Sequence, residues 1–268
     1  MMDFAPFLGR WNLVPDGTPI HTHSSDLLPV RRYGSPAMLK VARAVEEQTG
    51  NLLMKWWGGD GAAEVLAQDG AALLLERAIS RQSLVEMALG GQDSEATRIL
   101  CAVAGRLHAS RPEPPPKLAP LSDWFAALWR SEGRHGEMLS DSMKLAHELL
   151  ASERDIVVLH GDIHHGNVLD FGDRGWLAID PKGLVGERTF DFVNILRNPN
   201  PSIALTPGRF LHQADIVSDC ARIDRSRLLR WTVAFTGLSA AWIIEEGGRP
   251  EPDLAFMKIA SADLARPL

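Results

Sequence analysis

The stretch VVLHGDIHHGNVLDFGDRGWLAIDPKGLVGERTFDFVNI, Val157 to Ile195, concentrates the most informative polar residues of the chain. The apolar run Ile156 to Leu159 predicts a strand that leads into His160, Gly161 and Asp162, and Asn167 follows after four further residues. VLDF, the turn residues Gly172, Asp173, Arg174 and Gly175, and WLAID predict a hairpin ending at Asp180. A loop followed by a hairpin gathers three oxygen-bearing side chains, those of Asp162, Asn167 and Asp180. Phosphoryl transfer from ATP needs such a set, because ATP-borne magnesium takes oxygen ligands and an acceptor hydroxyl needs a carboxylate beside it.

Upstream, WNLV and AMLKV, separated by DGTP and YGSP, predict antiparallel strands between residues 11 and 41. Val45 to Trp57 predicts a helix closed by Gly58 and Gly59. AAEVLAQ and AALLLERA flank Asp69 and Gly70 and predict a hairpin. After Ala78 the long periodic segments are helical. Ala96, Ile99, Leu100, Val103, Ala104 and Leu107 share one face of a helix capped by Asp93. RPEPPPKLAP, with five prolines in ten residues, predicts an extended connector. A helix begins near Trp124, Leu128 and Trp129, and another covers 137–152. The expected fold class is α+β, with a small antiparallel sheet in residues 1–77 and a larger, mainly helical part in 78–268.

The 268 residues are 45% hydrophobic and 23% charged, with a net charge of −6, the make-up of a globular chain without the basic footprint of a nucleic-acid binder. An acidic chain attracts a cationic small molecule where its carboxylates line a cleft. Cys101 and Cys220 show neither disulfide density nor zinc spacing and are expected to be buried apolar residues. TVAFTGLSAAWII, 13 residues, is shorter than the roughly 18 of a membrane span and predicts a buried helix. With no secretory pattern at the N-terminus, the expectation is a cytoplasmic protein, a monomer or weak dimer, with no membrane or nucleic-acid partner.

The pattern H-G-D-x-x-x-x-N, with Asp180 thirteen residues beyond Asn167, resembles the catalytic loop and metal-binding Asp of the protein-kinase superfamily. Gly161 in place of Arg, and Asp180-Pro181 in place of DFG, resemble the branch that holds aminoglycoside and choline kinases. Together with HTHSSDLLPV, PAMLKVAR, WWGGDGAA, RILCAVAGRLHA and RWTVAFTGLSAAW, the stretch resembles the streptomycin 6-phosphotransferase group of the aminoglycoside/hydroxyurea antibiotic resistance kinases, over almost the whole chain.

That resemblance implies a protein-kinase-like two-lobe fold, ATP and Mg²⁺ as cofactors, and transfer to the 6-hydroxyl of streptomycin. Hydroxyurea or another small metabolite is the alternative acceptor. A nucleotide-binding pseudokinase acting as a scaffold is the reading from another class. By position, Asp162 would orient the hydroxyl and take its proton, and Asn167 and Asp180 would bind the metal. Lys40 would contact the ATP phosphates with Glu47 as its partner, Glu46 competing for that place. No G-x-G-x-x-G precedes Lys40; Ser24 and Ser25 stand where a phosphate-covering turn belongs. The backbone at Glu76 to Ala78 would pair with adenine, Asp191 and His160 would brace the catalytic loop, and Glu245 and Glu246 are candidates for the guanidinium groups of the substrate.

Other readings compete locally. His160, His164 and His165 with Asp162 suit a zinc hydrolase, which leaves Asn167 and Asp180 without roles. His21 and His23 with Asp26 resemble a metal-binding opening, but the two histidines are expected to be partly exposed turn residues; Lys182 either touches phosphate or is solvated, the second being preferred, and Glu187 with Arg188 can equally be a surface pair.

Overall fold

Alternating apolar side chains build the first layer of the structure, a computed structural model that describes residues 4–22, 24–43, 46–131 and 136–266. Helix α1 (Ala5–Arg10) precedes strands β1 (Leu13–Pro15), β2 (Ile20–His21), β3 (Ser25–Arg32) and β4 (Ser35–Ala42). Helix α2 (Glu46–Trp57) leads to the hairpin β5 (Val65–Asp69) and β6 (Ala72–Glu76). The strands form one antiparallel sheet in the order β1-β3-β4-β6-β5, with β2 on β3. The period of two divides the run in β6: Ala72 and Leu74 pack with Leu39, Val41 and Trp11, whereas Leu73 and Leu75 join Leu53, Met54 and Trp57 of α2 in the main core. Both faces of the sheet are therefore covered.

The remainder is mostly helical: α3 (Leu84–Leu89), α4 (Asp93–Leu107), a short strand β7 (Ala119–Pro120), α5 (Leu121–Trp124), α6 (Ala126–Arg130) and α7 (Gly136–Leu150). Asp93 lies inside the first turn of α4 and not at its cap. Its carboxylate accepts from Arg209 Nε at 2.6 Å and Gln213 Nε2 at 2.6 Å, which ties α4 to a later helix. The helix expected around Trp124 is two short ones, divided at Phe125, whose buried ring packs against Trp129, Phe190 and Trp231.

Strand β8 (Ile156–Leu159) feeds the loop 160–167, β9 (Val168–Asp170) and β10 (Trp176–Ala178) form the expected hairpin, and β11 (Leu184–Glu187) pairs antiparallel with β8 and parallel with β7. Helices α8 (Val193–Arg197), α9 (Pro201–Ala204), α10 (Arg209–Ala221), α11 (Arg225–Glu245) and α12 (Glu251–Leu264) complete the chain. Helix α11 is buried on nearly all sides, as its apolar run requires. Among the described residues no helix is long and apolar enough to cross a membrane. Cys101 is buried as expected, but Cys220, at the last turn of α10, is exposed. Val45 and His23 lie outside the described residues.

The contact that couples the sheet layer to the loop segment is unusually close. A Cβ on Gly50 of α2 would stand 2.1 Å from the carbonyl oxygen of Pro181, and one on Gly183 would stand 2.5 Å from Thr49 Cγ2. Helix α2 sits directly on the Asp180-Pro181 backbone only because these positions lack side chains.

Candidate functional site

The loop after β8 is braced from beneath. Asp191 accepts the N–H groups of His160 and Gly161 at 2.9 and 2.6 Å, and His108 Nε2 lies 2.8 Å from the same carboxylate. His160 is fully buried; its Nε2 is 2.8 Å from the Ile179 carbonyl and its Nδ1 accepts the Asp162 N–H at 3.2 Å. Burial holds the ring below its ordinary pKa despite the nearby carboxylates, so it serves as a neutral donor and acceptor. Gly161, at φ +83°, turns the chain where a Cβ would meet Leu184 at 2.9 Å.

Asp162 emerges from this support only partly exposed. Asn194 Nδ2, on α8, donates to its Oδ1 at 2.9 Å, and Asn167 Nδ2 donates to its backbone oxygen at 3.0 Å. With its nitrogen so committed, Asn167 keeps Oδ1 as the atom for a cation. Asp180 has a left-handed backbone, φ +62°, rare for a residue with a side chain and frequent at functional sites. Burial opposes ionisation of Asp180, but Lys40 and Lys182 outweigh it and hold the carboxyl below its usual range. Its Oδ1 pairs with Lys40, whose Nζ also donates to Glu47 Oε2 at 2.6 Å. Glu47 is thus an α2 carboxylate paired with Lys40, alongside Asp180; the side chain of Glu46 lies outside the described residues.

The polar cluster closes one end of a cleft of about 430 Å³ with apolar walls that include Leu27, Met38, Leu75, Leu169 and Phe171. Lys40, Asn167 and Asp180 line it, as do Glu76 and Ala78 at the rim. The Glu76 carboxylate turns outward to Arg174, leaving only its backbone for a ligand in the cleft. At the other margin the β2–β3 turn is closed by Thr22 Oγ1, which accepts from Ser25 N at 3.0 Å. Ser25 Oγ is buried at the cleft wall with no hydrogen-bond partner among the described atoms. A buried hydroxyl without a partner is costly, and a phosphate oxygen would satisfy it. Ser24 offers its carbonyl to Arg43 N at 2.8 Å. The apolar walls suit a nucleobase, and the donor set Asn167 Oδ1 and Asp180 suits a hard divalent cation.

These positions correct the preferred reading of Lys182 and the surface pairing of Glu187 with Arg188, and they bear on the competing histidine reading. Lys182 is not solvated: its Nζ lies 3.4 Å from Glu47 Oε1, 3.9 Å from Asp162 Oδ2 and 4.0 Å from Asp180 Oδ2. Glu187 is 1% exposed and engages Arg227, while Arg188 donates to the Ala221 and Arg222 carbonyls, so the two form no surface pair. The histidines do not form a metal cluster with Asp162: the His165 ring sits 4.0 Å from Asp93, and among the described residues no three His, Cys, Asp or Glu side chains converge for an ion. Exposed His21 sets its Nδ1 2.5 Å from the buried Asp26. Glu245 faces Arg130 at 3.2 Å at the end of α11, and Glu246 beside it is exposed. Asn194 carries no signal in the sequence beyond lying three residues after Asp191.

Residues 10–247 match the model of a family described as aminoglycoside/hydroxyurea antibiotic resistance kinase. The chain is 52% identical over 243 residues to a streptomycin 3''-kinase of Klebsiella pneumoniae, a match covering 89% of this chain and 91% of that protein. It is 31% identical over 253 residues to a streptomycin 6-kinase of Streptomyces griseus, covering 89% and 81%. The solved structure of an aminoglycoside phosphotransferase in complex with ADP and hygromycin B superposes with a TM-score of 0.69 at 12% identity over 97% of this chain and 96% of that one, a likeness of fold.

Proposed function

The chain belongs to the aminoglycoside/hydroxyurea antibiotic resistance kinase family and is a small-molecule kinase, and from that premise we propose that it phosphorylates streptomycin at the expense of ATP with Mg²⁺. The observation that carries the reading is the convergence of Lys40, Asn167 and Asp180 at the polar end of an apolar cleft, with Asp162 held against Asn167 beside them. The sequence expectation of the 6-hydroxyl gives way to the 3''-hydroxyl as the first choice, because identity to the 3''-kinase is 52% against 31% to the 6-kinase. The 6-hydroxyl is the second reading.

ATP would supply the phosphoryl group, with its charge partly neutralised by the cation. Asn167 and Asp180 would hold that cation, Lys40 would leave Asp180 for the phosphates while Glu47 keeps it extended, and Ser25 would donate to a phosphate oxygen. Asp162 would orient the acceptor hydroxyl and receive its proton as the new bond forms. An ordinary carboxylate, with a pKa near about 4, is a weak base, so orientation does most of the work.

The test is turnover. Purified protein with Mg-ATP and a panel of aminoglycosides and hydroxyurea should release ADP with streptomycin, and fragmentation of the product should place phosphate on the 3''-bearing sugar. Phosphate on the other ring system would select the 6-hydroxyl; absence of streptomycin-dependent ADP would remove the substrate proposal.

The close contact at Gly50 gives a second expectation. Gly50→Ala forces α2 off Pro181, which moves Glu47 away from Lys40. Turnover should fall by about 10- to 100-fold, the scale of an ångström misplacement, with stability lower by about 1–3 kcal/mol from overpacking. Steady-state kinetics and urea unfolding check both, and an unchanged rate would mean that α2 yields without disturbing the pair.

A further inference from the structure

Lys182 is a charged group at the site to which the proposed function gives no task. Its place is set by more than its own side chain: its backbone N–H donates to the His160 carbonyl at 2.7 Å, which fixes the start of the side chain against the braced loop. The ammonium then lies among three carboxylates drawn from three segments, Glu47 of α2, Asp162 of the loop and Asp180 after β10. Its side chain is 24% exposed, enough to meet a ligand and too little for a lysine held only by water.

The two lysines divide the same two acids between them. Lys40 takes Glu47 Oε2 and Asp180 Oδ1; Lys182 takes Glu47 Oε1 and faces Asp180 Oδ2. Lys40 lines the nucleotide cleft. Only Lys182 also reaches Asp162, the residue beside which the acceptor hydroxyl is placed. Transfer of a phosphoryl group in line carries it from the nucleotide end toward that hydroxyl, and the path from Asp180 to Asp162 passes Lys182.

Resting on that reading, we infer that Lys182 is a second catalytic cation, which stabilises the charge on the phosphoryl group in transit, as an arginine supplied in cis does in other phosphoryl-transfer enzymes. In the step, the bond from the γ-phosphorus to the β,γ-bridging oxygen breaks and the electron pair stays on ADP. The acceptor oxygen bonds to phosphorus and its proton passes to Asp162. Lys182 keeps its protons throughout and contributes charge alone.

The test separates this role from that of a structural ion pair. Lys182→Met keeps the stem and removes the charge; Lys182→Arg restores a cation. For the Met variant we expect kcat to fall about 10²- to 10³-fold, with KM for the acceptor little changed. Calorimetry should show binding of a non-hydrolysable Mg-ATP analogue weakened about tenfold, one charged contact's worth, while Mg-ADP binds as before. The Arg variant should recover most of both losses. A Met variant that melts like the wild type yet keeps kcat within about threefold, or that weakens ADP and the ATP analogue equally, would overturn the inference. So would an Arg variant that folds but is as slow as Met. Should the Met variant fail to fold, the Arg variant alone decides: normal preference for the ATP analogue over ADP supports the role, and its loss refutes it. If the wild type releases no ADP with any acceptor, the substrate proposal fails, and the comparison of the two nucleotides still judges Lys182.

Discussion

Replacing Asp162 with Ala is expected to lower kcat by about 10²- to 10⁴-fold, the range in which positioned acid–base groups contribute, while the protein folds and binds nucleotide as before. The expectation follows from how the side chain is held. Its Oδ1 is fixed by Asn194, and the backbone around it by Asn167, His160 and Asp191. Of those supports only the Asn194 bond and a longer one from Asn167 Nδ2 to Oδ2, at 3.4 Å, depend on the carboxylate, so the loop survives its removal. The cleft walls and Lys40 also remain, which leaves nucleotide binding intact. What disappears is the acceptor that aligns a hydroxyl with the phosphoryl group, and orientation is the term on which a weak base depends most. Asp162→Asn should be nearly as slow, since its amide keeps the Asn194 contact yet takes no proton. Near wild-type turnover in either variant, measured with saturating Mg-ATP and streptomycin, would show that another group serves the hydroxyl.

Much of this site is legible in the sequence because Asp162, Asn167 and Asp180 fall within nineteen consecutive residues and a strand, a loop and a hairpin suffice to gather them. The residues whose local sequence misleads owe their positions to contacts between distant segments. Lys182 looks solvated in the string DPKG, and becomes an inner residue only because α2, more than a hundred residues upstream, lies against Pro181 at Gly50. Asn194 is an ordinary helix residue until α8 is seen to face the loop. In the sheet, β3 has no clean signal because Pro29 interrupts it. The structure tolerates that proline because its carbonyl accepts from Asp16 N at 2.8 Å, just past the end of β1, so the missing N–H faces that side and not the ladder to β4. Periodicity identifies elements well, yet it is silent about which element lies on which.

Glu187 shows the same limit with a larger energetic consequence. Glu187→Ala is expected to destabilise the protein by about 3–5 kcal/mol, the scale for stripping one partner from a buried ion pair. The carboxylate, 1% exposed at the end of β11, accepts from Arg227 Nε at 2.6 Å and Nη2 at 2.5 Å, and from the Arg154 N–H at 3.2 Å. Arg227 of α11 is itself buried and donates to the Ser152 carbonyl at 2.7 Å, so removing the acid leaves a guanidinium charge without its counter-ion. The pair therefore clamps the strand layer beneath the catalytic loop to the longest helix of the core. Burial pushes the Glu187 carboxyl upward, but the bonds and charge of Arg227, with smaller contributions from Trp231 and Thr189, together outweigh it and hold the carboxyl below its usual 4.5. A depressed value in the folded state means that this stabilisation is complete above the unfolded pKa and fades as pH falls through the folded one. The difference in stability between wild type and Glu187→Ala should thus be full at neutral pH and shrink in acid, below about pH 4.5. Urea unfolding at pH 7 and at lower pH measures it. A loss under about 1 kcal/mol at neutral pH would mean that the pair behaves as a surface bridge does, and that the layer is held to α11 by apolar packing alone.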